Sequence, residues 1–215
     1  MELQEIKNNL IYLGALTERA IHLAMQSLTD RNTEMATRVI GDNYEIDKMD
    51  KDIEERCIKI LALRQPTAID LRFITTAIKI TGHLERIGDM AVNIAEKAIQ
   101  LNQEPKLKPY IDLPNMSSIV EKMVAKALDS LIRRDLQLAE EVRQIEKEVD
   151  DLNEQIFREL LTFMMEDSKS IHRALLIMHV SKNLERIADH AQGIADMVTY
   201  MITGENVRHL EKETN

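Results

Sequence analysis

What restricts the folding of this chain most is that its two halves repeat one another. Residues 84–95 and 184–195 match at eight of twelve positions, at an offset of 100. Upstream, Glu18 pairs with Glu121, Ala36 with Ala139, Val39 with Val142, Asp47 with Asp150 and Ile53 with Ile156, all at an offset of 103. A three-residue difference between these two blocks reconciles the offsets. A repeat of this length is one supersecondary unit made twice, so whatever the first half folds into, the second should fold into as well.

The unit is helical. Leu10, Leu13, Ala20, Leu23 and Leu28 show the three- and four-residue spacing of an amphipathic helix, which persists along the chain, and strand alternation is absent. Breaks at Asp30–Asn32, Gln65–Thr67, Asn102–Asn115, Arg133–Asp135 and Glu166–Ser168 divide the chain into six long helices. Short turns between long helices favour antiparallel packing, so each half is expected to be a three-helix bundle. The expected fold is therefore all-α: a first repeat over residues 1–101, a linker over 102–115 holding Pro105, Pro109 and Pro114, and a second repeat over 116–215. Helices of roughly 25–35 residues would make an elongated molecule, on the order of 40–50 Å long. Thr67 with Asp70, and Asp167 or Ser168, are the expected N-terminal caps.

Composition removes several classes of function. A net charge of −9 without a basic cluster disfavours nucleic acid and anionic lipid surfaces. No apolar run reaches the roughly 20 residues of a membrane span, and Met1–Leu13 lacks the pattern of a secretory signal, so a cytoplasmic protein without membrane insertion is expected. The single cysteine, Cys57, lies in an amphipathic pattern and suits a core position in a reducing compartment. The twelve methionines suggest an adaptable exterior and a homodimer.

The chemistry-bearing residues are carboxylates. Glu85 and Asp89, and again Glu185 and Asp189, stand four residues apart and so project from one face of the third helix of each half. Like charges at this spacing cost a helix roughly 0.2–0.5 kcal/mol, and their duplication calls for a cation. The second helices carry a comparable spacing in Glu146 and Asp150, and in Asn43 and Asp47, while Glu96 and Asp196 extend the stripe. Four oxygen-bearing side chains would then converge per half. Such a set suits iron, manganese, magnesium or calcium better than a closed structural zinc site. Acidic pairs also decorate solvated helix faces, and Arg86 and Arg186 could neutralise them locally. His22, four residues beyond Glu18, is a further candidate for a nitrogen ligand, but like His179 and His190 it reads more simply as part of a packed or solvated face.

Catalytic arrangements are scarce. No histidine follows a glutamate by three residues, as in di-iron carboxylate bundles, and there is no phosphate-cradling glycine loop, Gly-x-Ser-x-Gly or zinc-spaced Cys/His set. A carboxylate-bridged metal hydrolase or oxidase is the remaining enzyme alternative; the preferred reading is not an enzyme.

The ordered blocks Arg64–Arg72 (RQPTAIDLR) leading to Glu85-Arg-Ile-Gly-Asp89, and Met164–Ser168 leading to Glu185-Arg-Ile-Ala-Asp189, resemble the PhoU family over nearly the whole chain. The resemblance implies two three-helix bundles related by an approximate two-fold. It also implies iron or zinc clusters held by paired Glu/Asp-x-x-x-Asp motifs, which map to Glu85/Asp89, Glu185/Asp189 and Glu146/Asp150. The fourth motif departs from the pattern, with Asn43 ahead of Asp47, so the first-half site is expected to be weaker or differently filled. By the same resemblance, the chain would be an adaptor joining the phosphate ABC transporter's ATPase subunit to a sensor histidine kinase. In that role it would be a negative regulator of the phosphate-starvation regulon.

Overall fold

The computed structural model describes residues 2–205; the end of the expected second repeat, 206–215, lies outside them. Six α-helices form: α1 (Glu2–Thr29), α2 (Thr33–Arg64), α3 (Ala68–Asn102), α4 (Asp112–Arg133), α5 (Leu136–Glu166) and α6 (Ile171–Thr203). One 3₁₀ turn, Ser168–Ser170, leads into α6. Within each half all three helices touch, and α3 with α6 and α1 with α4 join the halves. The buried side chains of both halves form one continuous aliphatic core, from Ile6, Leu10 and Leu13 on α1 to Ile194, Ala195 and Val198 on α6. Among the described residues there is no strand, and no helix is long and apolar enough to cross a membrane.

The turns show why the halves fold alike. At the end of α1, Asn32 N–H donates to the Ser27 carbonyl at 2.9 Å; at the end of α4, Asp135 N–H donates to the Ser130 carbonyl at 3.0 Å. Between them Arg31 and Arg134, both at φ 54°, take the left-handed conformation that lets a chain leave a helix sharply. The next residue then caps the following helix. Asn32 Oδ1 accepts from Met35 N–H, and Asp135 Oδ1 from Gln137 and Leu138 N–H. All of these pairs stand 103 apart.

The offset changes at the next turn. Gln65–Thr67 joins α2 to α3, and these three residues have no counterpart in the second half, where Asp167 caps the 3₁₀ turn through Lys169 N–H at 2.9 Å. Thr67 does not cap α3 as expected: its side chain makes no bond to the helix backbone, and its hydroxyl donates instead to Asp70 Oδ2 at 3.4 Å.

The linker is shorter than expected and is held down. α4 already begins at Asp112, so Pro114 sits in its first turn, where a missing N–H costs nothing. Arg31 donates to the carbonyls of Asn102 at 2.7 Å and Glu104 at 2.6 Å, Arg173 donates to the Pro105 carbonyl, and the nearly buried Lys108 ammonium pairs with Glu159 and Asp112.

The methionine-rich exterior is not observed. Met25, Met116, Met123 and Met201 are core residues and five more pack against the core, leaving Met165 as the strongly exposed one among the described residues.

Candidate metal-binding faces

The first acidic face lies where α2 packs on α3. Asp47, Glu85 and Asp89 each bring one carboxylate oxygen within 4.8 Å of the other two, and all three are half-buried. Gly88 allows the two helices to approach. A Cβ there would stand 2.8 Å from Asn43 Oδ1 and 3.0 and 3.1 Å from Ile46 side-chain atoms, closer than Cβ atoms tolerate. Asn43, in place of the expected carboxylate, donates its Nδ2 to Asp47 Oδ1 at 3.3 Å and so fixes that carboxylate. Its own Oδ1 is shielded from solvent and has no hydrogen-bond partner.

Burial pushes the Glu85 carboxyl above its usual range, and Asp89, Asp50 and Asp47 push it further while Arg86 opposes them. The exposed Arg86 guanidinium spans the pair, with Nε 3.3 Å from Glu85 and Nη1 3.2 Å from Asp89. Asp50, three residues beyond Asp47, restores the negative charge that Asn43 lacks. It was legible in the spacing but falls outside the four-residue motif.

The second face lies between α5 and α6. Burial raises the carboxyls of Glu146, Asp150 and Asp189, and their mutual repulsion together with Glu185 raises them further, so the four form one electrostatic cluster. Even so, among the described residues no three of them gather as tightly as the first trio. Lys182 stands among them, its ammonium 2.6 Å from both carboxylate oxygens of Glu185, and it lowers the carboxyls of Asp150 and Asp189.

The other candidates disperse. Asp196 pairs with Arg143 at 2.8 Å, and Glu96 lies beside Lys97, so neither extends a ligand set. His22 faces Glu121 across the α1–α4 contact at 3.4 Å. His190 meets His83 across α3 and α6, Nδ1 to Nδ1 at 3.0 Å, and burial with the nearby Arg86 and Arg186 holds its pKa down. Cys57 is buried, and its thiol is pushed up to about 11, so it supplies no thiolate at neutral pH.

Both halves match the PhoU domain family profile, over residues 10–98 and 113–198. The chain belongs to the PhoU family. It is 41% identical over 210 residues to the phosphate-specific transport system accessory protein PhoU homolog of Pseudomonas aeruginosa, covering 97% of this chain and 87% of that one. The homolog of Aquifex aeolicus is 44% identical over 97% of this chain and 94% of its own length. The crystal structure of PhoU from Pseudomonas aeruginosa superposes with a TM-score of 0.92 at 40% identity, covering 95% of this chain and 98% of that one. That of the phosphate transport system regulatory protein PhoU from Streptococcus pneumoniae gives 0.89 at 28% identity, covering 96% and 97%.

The two faces of this PhoU chain differ in their fit to a metal ion. The first fits: all donors are oxygens, they come from two helices, and one oxygen of each residue lies within 4.8 Å of the other two. The second fits less well as it stands: among the described residues it gathers no trio as close, and the Lys182 ammonium sits on Glu185, where on the first face the exposed Arg86 spans Glu85 and Asp89.

Proposed function

We propose that this chain is a cytoplasmic regulator of phosphate uptake, an adaptor that joins the phosphate transporter's ATPase subunit to a sensor histidine kinase and restrains the starvation response when phosphate is plentiful. The observation that carries this reading is the likeness to named phosphate-transport accessory proteins along 97% of the chain. The geometry supports contact rather than turnover. The titratable clusters lie half-buried along helix–helix seams, and among the described residues the acidic trio is built from carboxylates alone.

On this reading Asp47, Glu85 and Asp89 would hold a divalent cation, iron or zinc by family likeness, with Asn43 steadying Asp47 through its Nδ2. A bound cation supplies positive charge that offsets the crowding of carboxylates and ties α2 to α3. A second copy of the chain would cover the exposed stripe Phe157, Leu161 and Met165 on α5 with Leu175 on α6, and a monomer mass in light scattering would count against that dimer.

The deciding experiment is genetic. A strain lacking this protein should express phosphate-starvation genes in high phosphate, and the wild-type chain supplied in trans should silence them. Normal repression without the protein would overturn the adaptor reading.

A further inference from the structure

The two acidic faces are built to the same plan, yet one position sets them apart. Residues 82 and 182 are repeat equivalents at the offset of 100 that aligns α3 with α6, and they are glycine and lysine. Apart from Asp151, which stands where α2 has Lys48, the carboxylates themselves balance. The first face has Asp47, Asp50, Glu85 and Asp89 where the second has Asp150, Asn153, Glu185 and Asp189, and Glu146 answers Asn43. An acid lost at 153 is thus regained at 146. Each face also keeps its arginine, though the two sit differently: Arg86 reaches Glu85 at 3.3 Å and Asp89 at 3.2 Å, whereas Arg186 lowers the pKa of Asp189 through its field. Between residues 82–89 of α3 and 182–189 of α6 the lysine is the one formal charge without a counterpart, and the structure sets its ammonium on Glu185 at 2.6 Å, from where its field lowers the pKa of Asp150 and Asp189. Opposite it in the first repeat, nothing lies within 4 Å of the place where a Cβ on Gly82 would sit.

We infer that Lys182 is the built-in cation of the second face, so that the two halves of this chain are not equivalent: the first face takes a divalent metal ion and the second is closed to one by its own ammonium. The inference rests on the metal reading of the first face given above. An ammonium and a dication compete for the same oxygens, but they make different demands. The ion needs three or more oxygens gathered around one point, whereas the ammonium is satisfied by one carboxylate and a field from its neighbours. The packing agrees with this division. Gly88 lets α2 close on α3 and gathers the trio, while the second repeat has Ala188 at that position and no trio as tight.

The test exchanges the two residues in the full-length chain and reads bound Mn²⁺ or Zn²⁺ by equilibrium dialysis and elemental analysis. Wild type should hold an ion that Glu85→Gln removes and Glu185→Gln leaves in place. Gly82→Lys should weaken that ion about tenfold, the size expected of one added unit charge at a partly solvated site, while Gly82→Gln should not. Lys182→Gln should create an additional site that Glu185→Gln abolishes, while Lys182→Arg should create none.

Unchanged stoichiometry and affinity in both Lys182→Gln and Gly82→Lys would overturn the inference, as would a wild-type ion that Glu185→Gln removes. The two readings fail separately. A wild type that binds no ion, beside a Lys182→Gln variant that does, sinks the first-face site and keeps the role of Lys182. A wild-type ion lost in Glu85→Gln with none gained in Lys182→Gln does the reverse.

Discussion

Single side chains on these faces carry a cost that pH exposes. Glu85, Glu146, Asp150 and Asp189 all have folded-state pKa values raised, first by burial and then by neighbouring acids. A raised carboxyl means the fold binds the proton more tightly than the unfolded chain does. Its contribution is therefore fully present below the ordinary values of 3.8 for Asp and 4.5 for Glu, and it is lost as pH rises through the folded value. Removing one such charge should thus help the metal-free protein only where that charge exists. In EDTA, Glu146→Gln is expected to be more stable than wild type near pH 7, with the difference vanishing near pH 4. Urea unfolding across that range measures it, and a Gln variant that is less stable at neutral pH would contradict the crowding argument. The crowding was legible in the spacing of Glu185 and Asp189, and so was its duplication. The neutraliser was harder to see, because Lys182 lies three residues before Glu185 and announces itself only when set against Gly82.

At the scale of elements, the repeat made the helices legible and the turns only partly so. Periodicity and five breaks place all six helices, because buried aliphatic side chains must recur on one face. The start of α4 was misplaced because three prolines in fourteen residues look like continuous linker, although a proline in a first turn breaks nothing. The cap at Thr67 failed for a local reason: its hydroxyl found Asp70 first. The duplicated α1–α2 and α4–α5 turns allow a controlled comparison. Arg31 and Arg134 both sit at φ 54°, a conformation that costs a side chain roughly 1–2 kcal/mol and glycine nothing. Arg31, however, also donates two short hydrogen bonds to the linker carbonyls. Arg134→Gly should therefore stabilise the protein, by up to about 1 kcal/mol once the freer unfolded chain is counted. Arg31→Gly should destabilise it through the lost charged hydrogen bonds. Equal effects of the two substitutions in thermal unfolding would show that the linker clamp contributes nothing.

For the whole molecule the question is whether two similar bundles behave as two bodies or one. The core runs without interruption across the α3–α6 contact, so neither half can open without exposing the other's apolar face. That contact depends on another departure from repeat symmetry. His83 lies against Gly193, where a Cβ would run into the imidazole ring, and it reaches His190 at 3.0 Å; in the equivalent place Asn93 and Asn183 face each other at 3.4 Å. Gly193 is thus a matter of space between the halves rather than of backbone conformation. Gly193→Ala should cost about 1–3 kcal/mol through overpacking, less whatever its better helix propensity returns. Combining it with His83→Ala should recover much of the loss, because the clash and its partner leave together. Calorimetry should show a single transition for wild type and for both variants, with only the midpoint moving. Additive losses in the double variant would place the strain elsewhere, and a split transition in wild type would mean that the continuous core does not bind the halves into one cooperative unit. A cooperative body also lets charge on one face matter to the other: an ion that tightens α2 on α3 acts on the helix that carries the second repeat's main contact.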